Sequence, residues 1–194
     1  MQYDLRMQRP DSWQAAFDLI RTRAHERREE PFKLVSGQLS HDYIDGKHAI
    51  DNGERLTTVS RAVADLAAAH GIEFDAVGGL TMGADPLAHG IAMVTGAAWF
   101  SVRKEQKQRG REQWIEGTRL SPGDRVLLVD DVISTGGSTK KAYDRVLEVG
   151  VTVTGVIPMV DRGDVATELF GGLGVPFAAL VTYRDLGIDP VKAV

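Results

Sequence analysis

The chain has 194 residues, 43% of them hydrophobic and 26% charged, and a formal net charge of -4. That length holds one compact domain with a real core, and the negative balance argues against a general nucleic-acid surface. Three absences (no cysteine, no apolar stretch long enough to span a membrane, no signal-peptide run in MQYDLRMQRP) exclude disulfides and thiolate zinc and fit a cytoplasmic protein.

Pro10 and Asp11 precede SWQAAFDLIRTRAHERREE, which starts amphipathic, ends charged and predicts a helix over 12–30. FKLVSG and HDYIDG read as short strands around a turn at Gly37. GERLTTVSRAVADLAAAHG is a second helix, stopped by Gly71. FDAVGGL is a strand that opens into the loop TMGADP, and Pro86 stands where the next helix starts. AWFSV is another strand. The polar stretch from Arg103 to Arg119 has no clear period and reads as a long mobile loop. RVLLV is a buried strand, STKKAYDRVLEVG a helix and VTVTGVIPMV a further strand. After the polar DRGD come a short helix and FAALV. Strands alternating with helices predict an α/β domain around a mainly parallel sheet. Apolar runs such as VLLV suit strands covered on both faces. Ligands of such sheets bind beyond the carboxyl ends of the strands, which here means after Leu80, Val102, Val129 and Val160.

The most informative stretch is VLLVDDVISTGGST, residues 126–139. Ser134 to Thr139 leads from a strand into a helix. Glycines let backbone amides converge, hydroxyls add donors and the helix start adds partial positive charge, which together make a phosphate cradle. Asp130 and Asp131 would repel that phosphate, so they must face another part of the ligand. Carboxylates accept hydrogen bonds from hydroxyls or hold a hydrated Mg²⁺. A ribose 5-phosphate satisfies both needs. A nucleotide hydrolase would also need a G-x-x-x-x-G-K-[ST] loop, and the sequence has none. A phospho-acceptor receiver would need this strand near the start of its domain. Two solvated acids beside a capped helix is the bland alternative. In the segment 103–111, Arg103, Lys104, Lys107, Arg109 and Arg111 form a cationic run that would close over a strongly anionic group such as pyrophosphate. Charge runs more often belong to a solvated loop, and only the position after a ligand-edge strand favours the binding role. The histidines (His25, His41, His48, His70, His89) show no metal-ligand spacing.

VLLVDDVISTGGST resembles the phosphoribosyl pyrophosphate (PRPP) motif of type I phosphoribosyltransferases. FKLVSGQLSHDYID, VGGLTMGADPLA and RKEQKQRGREQWIEG are similar to segments of the orotate phosphoribosyltransferase family, and MVDR and DLGI agree, so the likeness runs from about Phe32 to Ile188. It implies a type I phosphoribosyltransferase fold, with residues 1–194 as a single domain. A small hood would come from about residues 1–50 and the C-terminal segment. It implies transfer of the phosphoribosyl group of PRPP to orotate, with Mg²⁺ held mainly through PRPP and water, and a homodimer with shared active sites. By the same likeness Asp130 and Asp131 would bind the ribose hydroxyls. Ser134, Thr135, Gly136, Gly137 and Ser138 would hold the 5′-phosphate. Arg103, Lys104, Lys107 and Arg109 would address pyrophosphate, with Lys107 and Arg109 also placed among the catalytic groups beside the acid pair. Tyr43, Ile44, Ser134 and Arg162 would meet orotate, Arg162 through its carboxylate. The chain departs from the family in three places. Arg109 stands where a histidine is usual, and arginine cannot trade a proton near neutral pH. Val35 and Gly83 stand where some members have lysine. A phosphoribosyltransferase for another base, or a non-catalytic PRPP sensor, stays open on the sequence.

Overall fold

The computed structural model describes residues 9–34, 37–105 and 114–192. Its centre is a six-stranded sheet in the order β5-β4-β3-β6-β7-β8. The strands are β3 (Ala76–Leu80), β4 (Ala98–Val102), β5 (Ile115–Gly117), β6 (Arg125–Ile133), β7 (Thr152–Asp161) and β8 (Val181–Thr182). Every pairing is parallel except β4 with β5. The two faces of β6 explain its unbroken apolar run. Leu127 and Val129 enter one core with α2 (Gly53–Ala69) and α3 (Asp85–Thr95), while Val126 and Leu128 enter another with α4 (Gly137–Leu147) and α5 (Val165–Gly172). A strand covered on both sides has no solvent face for polar residues to occupy.

A separate two-stranded antiparallel ribbon, β1 (His25–Lys33) and β2 (Leu39–Ile44), stands outside this sheet. The helix expected over 12–30 is therefore shorter. α1 covers Trp13–Leu19, a wide turn follows at Ile20–Ala24, and the charged remainder is strand. Pro31 cannot donate in a helix, and pairing of His25–Arg27 with Asp42–Ile44 overrides the helical propensity of the Glu and Arg residues. Two further boundaries differ from the sequence reading. β6 runs on through Ile133, so both aspartates lie inside the strand, and Ile115–Gly117 forms a strand within the stretch read as loop.

The chain's two ends meet over β7. Gln38 in the ribbon turn donates to the Pro190 carbonyl and accepts from the Lys192 amide, and Val191 donates its amide to the Arg162 carbonyl. α6 (Tyr183–Leu186) is fixed by a Thr182–Asp185 capping box, and Arg9 reaches Asp185 at 2.6 Å.

Candidate active site

The acid pair sits at the carboxyl end of β6, buried, with each carboxylate oxygen accepting one hydrogen bond. Asp130 accepts from the Asp131 amide at 3.0 Å and from the Thr139 hydroxyl at 2.9 Å. Asp131 accepts from the Val132 amide at 2.9 Å and from the Lys47 ammonium at 2.8 Å. Burial, and then the neighbouring Asp131 charge, push the Asp130 carboxyl up to about 7. Within the pair Asp130 is thus pushed toward its protonated form, while the Asp131 carboxylate faces the Lys47 ammonium. Lys47 is raised above the usual lysine range, first by its bond to Asp131.

Beyond Ile133 the chain turns through Ser134 and Thr135 to Gly136, which is left-handed at φ 81°, and α4 begins at Gly137. Gly137 and Ser138 are exposed at that helix start. Among the described residues the hydroxyls of Ser134, Thr135 and Ser138 have no hydrogen-bond partner. An 11-residue helix that starts at exposed Gly137 and Ser138, beside hydroxyls without partners, offers the donors that a multiply charged anion needs.

The loop after β3 closes against the pair. A side chain at Gly83 would place its Cβ 2.6 Å from the Asp131 Oδ1 and 3.0 Å from the Asp130 Oδ1, so only a glycine lets this backbone approach the carboxylates. The loop's Thr81–Met82 peptide is cis. Asp85 anchors the loop by accepting from Thr81 and Ser101, both at 2.7 Å.

Arg162 follows β7 and is only 3% exposed. Its Nη2 reaches the Ser40 hydroxyl at a long 3.4 Å, and its buried Nε has no partner. Burial lowers the guanidinium below its usual range, with the Asp42 charge pulling the other way. Asp42 is itself committed to His25 at 2.9 Å and to Arg27 at 3.0 Å. Burial would raise its carboxyl, but those bonds outweigh it and hold it below the ordinary value. A buried cation with an open donor is costly unless an anion completes it. On the ribbon that carries Ser40, Tyr43 packs edge-on against Phe32, Arg28 lies over both rings, and Ile44 is buried in the core.

Asp130, Asp131 and the 134–138 turn thus share one end of β6, and Arg162 flanks it from β7, the neighbouring strand. Arg103 and Lys104 leave β4 at the same sheet edge, but Arg103 turns to Glu116 at 3.4 Å and Lys104 is exposed. Lys107, Arg109 and Arg111 lie outside the described residues, as does Val35. Sequence reasoning missed Lys47, Ser40 and the bond from Thr139 to Asp130. Thr139 closes the motif already singled out, whereas Lys47 is a lone lysine in DGKHA with no pattern around it. Among the described residues no group of three or more His, Asp or Glu is placed to hold a metal ion, and no helix is long and apolar enough to cross a membrane.

An acid pair at a strand end, an open anion cradle and a glycine loop folded over the carboxylates define a sugar-phosphate transferase site. The chain belongs to the phosphoribosyltransferase family, whose phosphoribosyl transferase domain matches residues 49–168. Within the family it is similar to orotate phosphoribosyltransferases. That of Pyrococcus furiosus is 39% identical over 155 residues, covering 80% of this chain and 85% of the relative. That of Aquifex aeolicus is 39% identical over 176 residues, covering 87% and 93%. A solved orotate phosphoribosyltransferase from Mycobacterium tuberculosis H37Rv in complex with PRPP superposes with a TM-score of 0.75 at 32% identity, covering 92% of this chain and 99% of that one.

Proposed function

We propose that this chain transfers the phosphoribosyl group of PRPP to orotate, giving orotidine 5′-monophosphate and pyrophosphate. The observation that carries the reading is the pairing of an open anion cradle beside buried carboxylates with a buried, incompletely bonded Arg162 on the neighbouring strand. The first set fits a phosphorylated sugar, and Arg162 fits a base that carries its own carboxylate. The names of the relatives support the same substrates.

In this reading residues Ser134 to Ser138 hold the 5′-phosphate, and Asp130 and Asp131 take the ribose hydroxyls. Arg103 and Lys104, with Lys107 and Arg109, face pyrophosphate. Tyr43 and Ile44 border the base, and Ser134 and Arg162 bond to orotate. The bond from the anomeric carbon to pyrophosphate breaks, a bond to the ring nitrogen of orotate forms as its N–H proton leaves to the departing pyrophosphate or to water, and positive charge builds on the ribose between the two. In this reading the Asp131 carboxylate stabilises that cation. Both carboxylates already accept short bonds from protein donors, so the residues fit a Mg²⁺ that arrives on PRPP and meets them through water rather than a resident ion. Such an ion would supply positive charge for the leaving pyrophosphate.

The reading includes residues 1–194 as a single domain with its hood from about 1–50 and the C-terminal segment, a homodimer with shared sites and a cytoplasmic location. The contacts of Gln38 with Pro190 and Lys192, the cationic 103–111 segment and the absence of cysteine support these in turn. The deciding experiment incubates the protein with Mg²⁺, PRPP and a panel of bases and follows nucleotide and pyrophosphate. Turnover with orotate and not with uracil is expected. Turnover only with an uncharged base would overturn the orotate assignment, and none with any base would overturn transfer itself.

A further inference from the structure

The ribbon strand β2 delivers Asp45, Gly46 and Lys47 directly onto the acid pair. A Cβ at Gly46 would sit 2.5 Å from the Met159 methyl, 3.0 Å from the Asp131 Cβ and 3.3 Å from Val132. The backbone of this turn is thus seated on β6 with no room to spare. From there the Lys47 ammonium reaches Oδ2 of Asp131 at 2.8 Å, while Oδ1 of the same carboxylate is taken by the Val132 amide. The Asp45 side chain fixes the turn by accepting the Lys47 amide at 3.1 Å, and its carboxylate lies 3.8 Å from the ammonium. The charged and titratable groups around Lys47 are Asp131 from β6, Asp45 from its own turn and Tyr43 from β2. Two carboxylates and one ammonium leave Lys47 cationic with a set direction. Its side chain is 51% exposed, so neither the core nor the sheet needs it.

We propose that Lys47 is a positioning residue for phosphoribosyl transfer: the Lys47–Asp131 bond across two elements fixes the orientation in which Asp131 meets the ribose. This rests on the transferase reading above and adds to it a residue that touches no reacting atom. An oxygen engaged by Lys47 keeps a second lone pair for a ribose hydroxyl, so the bond persists while substrate binds. A carboxylate held by one amide alone can rotate about its side-chain bond, and small misplacements of a charge-stabilising group fall on the transition state more than on binding. Most attraction for PRPP comes instead from the cradle and the cations that meet its phosphates.

The test is steady-state kinetics of wild type, Lys47→Met and Lys47→Arg with orotate and PRPP. Lys47→Met is expected to lower kcat by about tenfold or more while the KM for PRPP moves by less than about threefold. Lys47→Arg, which keeps a cation within reach of Asp131, is expected to recover most of the loss. A Lys47→Met enzyme with wild-type kcat, a loss confined to KM, or an arginine variant as slow as the methionine one would each overturn the role. A wild-type protein that makes no nucleotide instead removes the transferase reading, so the two failures are distinct.

Discussion

Arg162 is the residue where chemistry and stability pull apart. A guanidinium buried to 3% exposure with an unpartnered Nε is a cost borne by the empty protein. Orotate differs from uracil by the carboxylate that would complete it. A hydrogen-bonded charge contact of this kind contributes on the order of 2 to 3 kcal/mol, about a factor of 30 to 150. Arg162→Met is therefore expected to cut kcat/KM for orotate by about tenfold or more, leave PRPP affinity nearly constant and raise the melting temperature of the empty protein by about 2–4 °C. A variant that loses stability and keeps its orotate turnover would contradict both halves. The sequence pointed to Arg162 through MVDR, yet DRGD by itself reads as a solvated turn. The burial comes from partners distant in sequence, such as Ser40, 122 positions away, and from Val191 pairing across Gly163. Asp130 was legible for a different reason: its role is local, set by neighbours within the same 14-residue stretch.

Elements were legible in proportion to how much of their surface they bury. β3, β6 and β7 carry apolar runs because both faces are covered, and α2 shows its buried stripe of Val59, Ala62, Val63 and Leu66. β1 has no such code. Most of HERREEPFK is exposed, so its strand state is imposed by pairing with β2 and leaves no alternation to read. The continuation of β6 past Val129 was hidden because aspartates are poor strand formers, and the ladder to β7 decides there. β7 ends with its own acid. Burial, and behind it the Asp164 charge, push Asp161 up to about 7 against a bond from the Gly163 amide. The sign follows from proton linkage. A carboxyl whose folded pKa is raised gives stability that is complete below its unfolded value and lost as pH rises through the folded one. Asp161 and Asp130 therefore both make the protein less stable as pH rises from about 4 to about 8. Below about pH 4 the lowered Asp42 and Asp75 act in the opposite direction. Asp161→Asn should flatten the fall in melting temperature over that window. Identical slopes in variant and wild type would show that Asp161 does not titrate there.

For the whole molecule, the expected homodimer is the claim with most consequence, because it lets one chain supply Lys107 to a site whose acids belong to another. Mixing Lys107→Ala and Asp131→Asn chains, each nearly inactive alone, should then restore about a quarter of wild-type activity in a random mixture and about a half in the isolated mixed dimer, where one site of two is intact. Mixed dimers that form and stay inactive would show that each site is built from one chain. The strand alternation made the α/β sheet legible at this scale. How the ends of the chain close over it was written in no residue pattern, since Gln38 meets Pro190 across 152 positions with no composition signal at either place, and only the family likeness implied a hood from both ends.

That clasp also sets an order of assembly. β3, β6 and β7, their helices and the locally paired ribbon need nothing beyond their own residues, but the bonds that tie Gln38 to 190–192 cannot form until that segment has been made. Contacts between such remote positions close last, because the intervening chain must already be compact before they gain anything. A nascent chain that has reached α5 already owns the phosphate cradle and its acids, while Arg162 still lacks the backbone bond from Val191 and the Gln38-anchored turn above it. On the proposed assignment, recognition of the sugar phosphate would be an early property of the polypeptide, and discrimination between bases a late one.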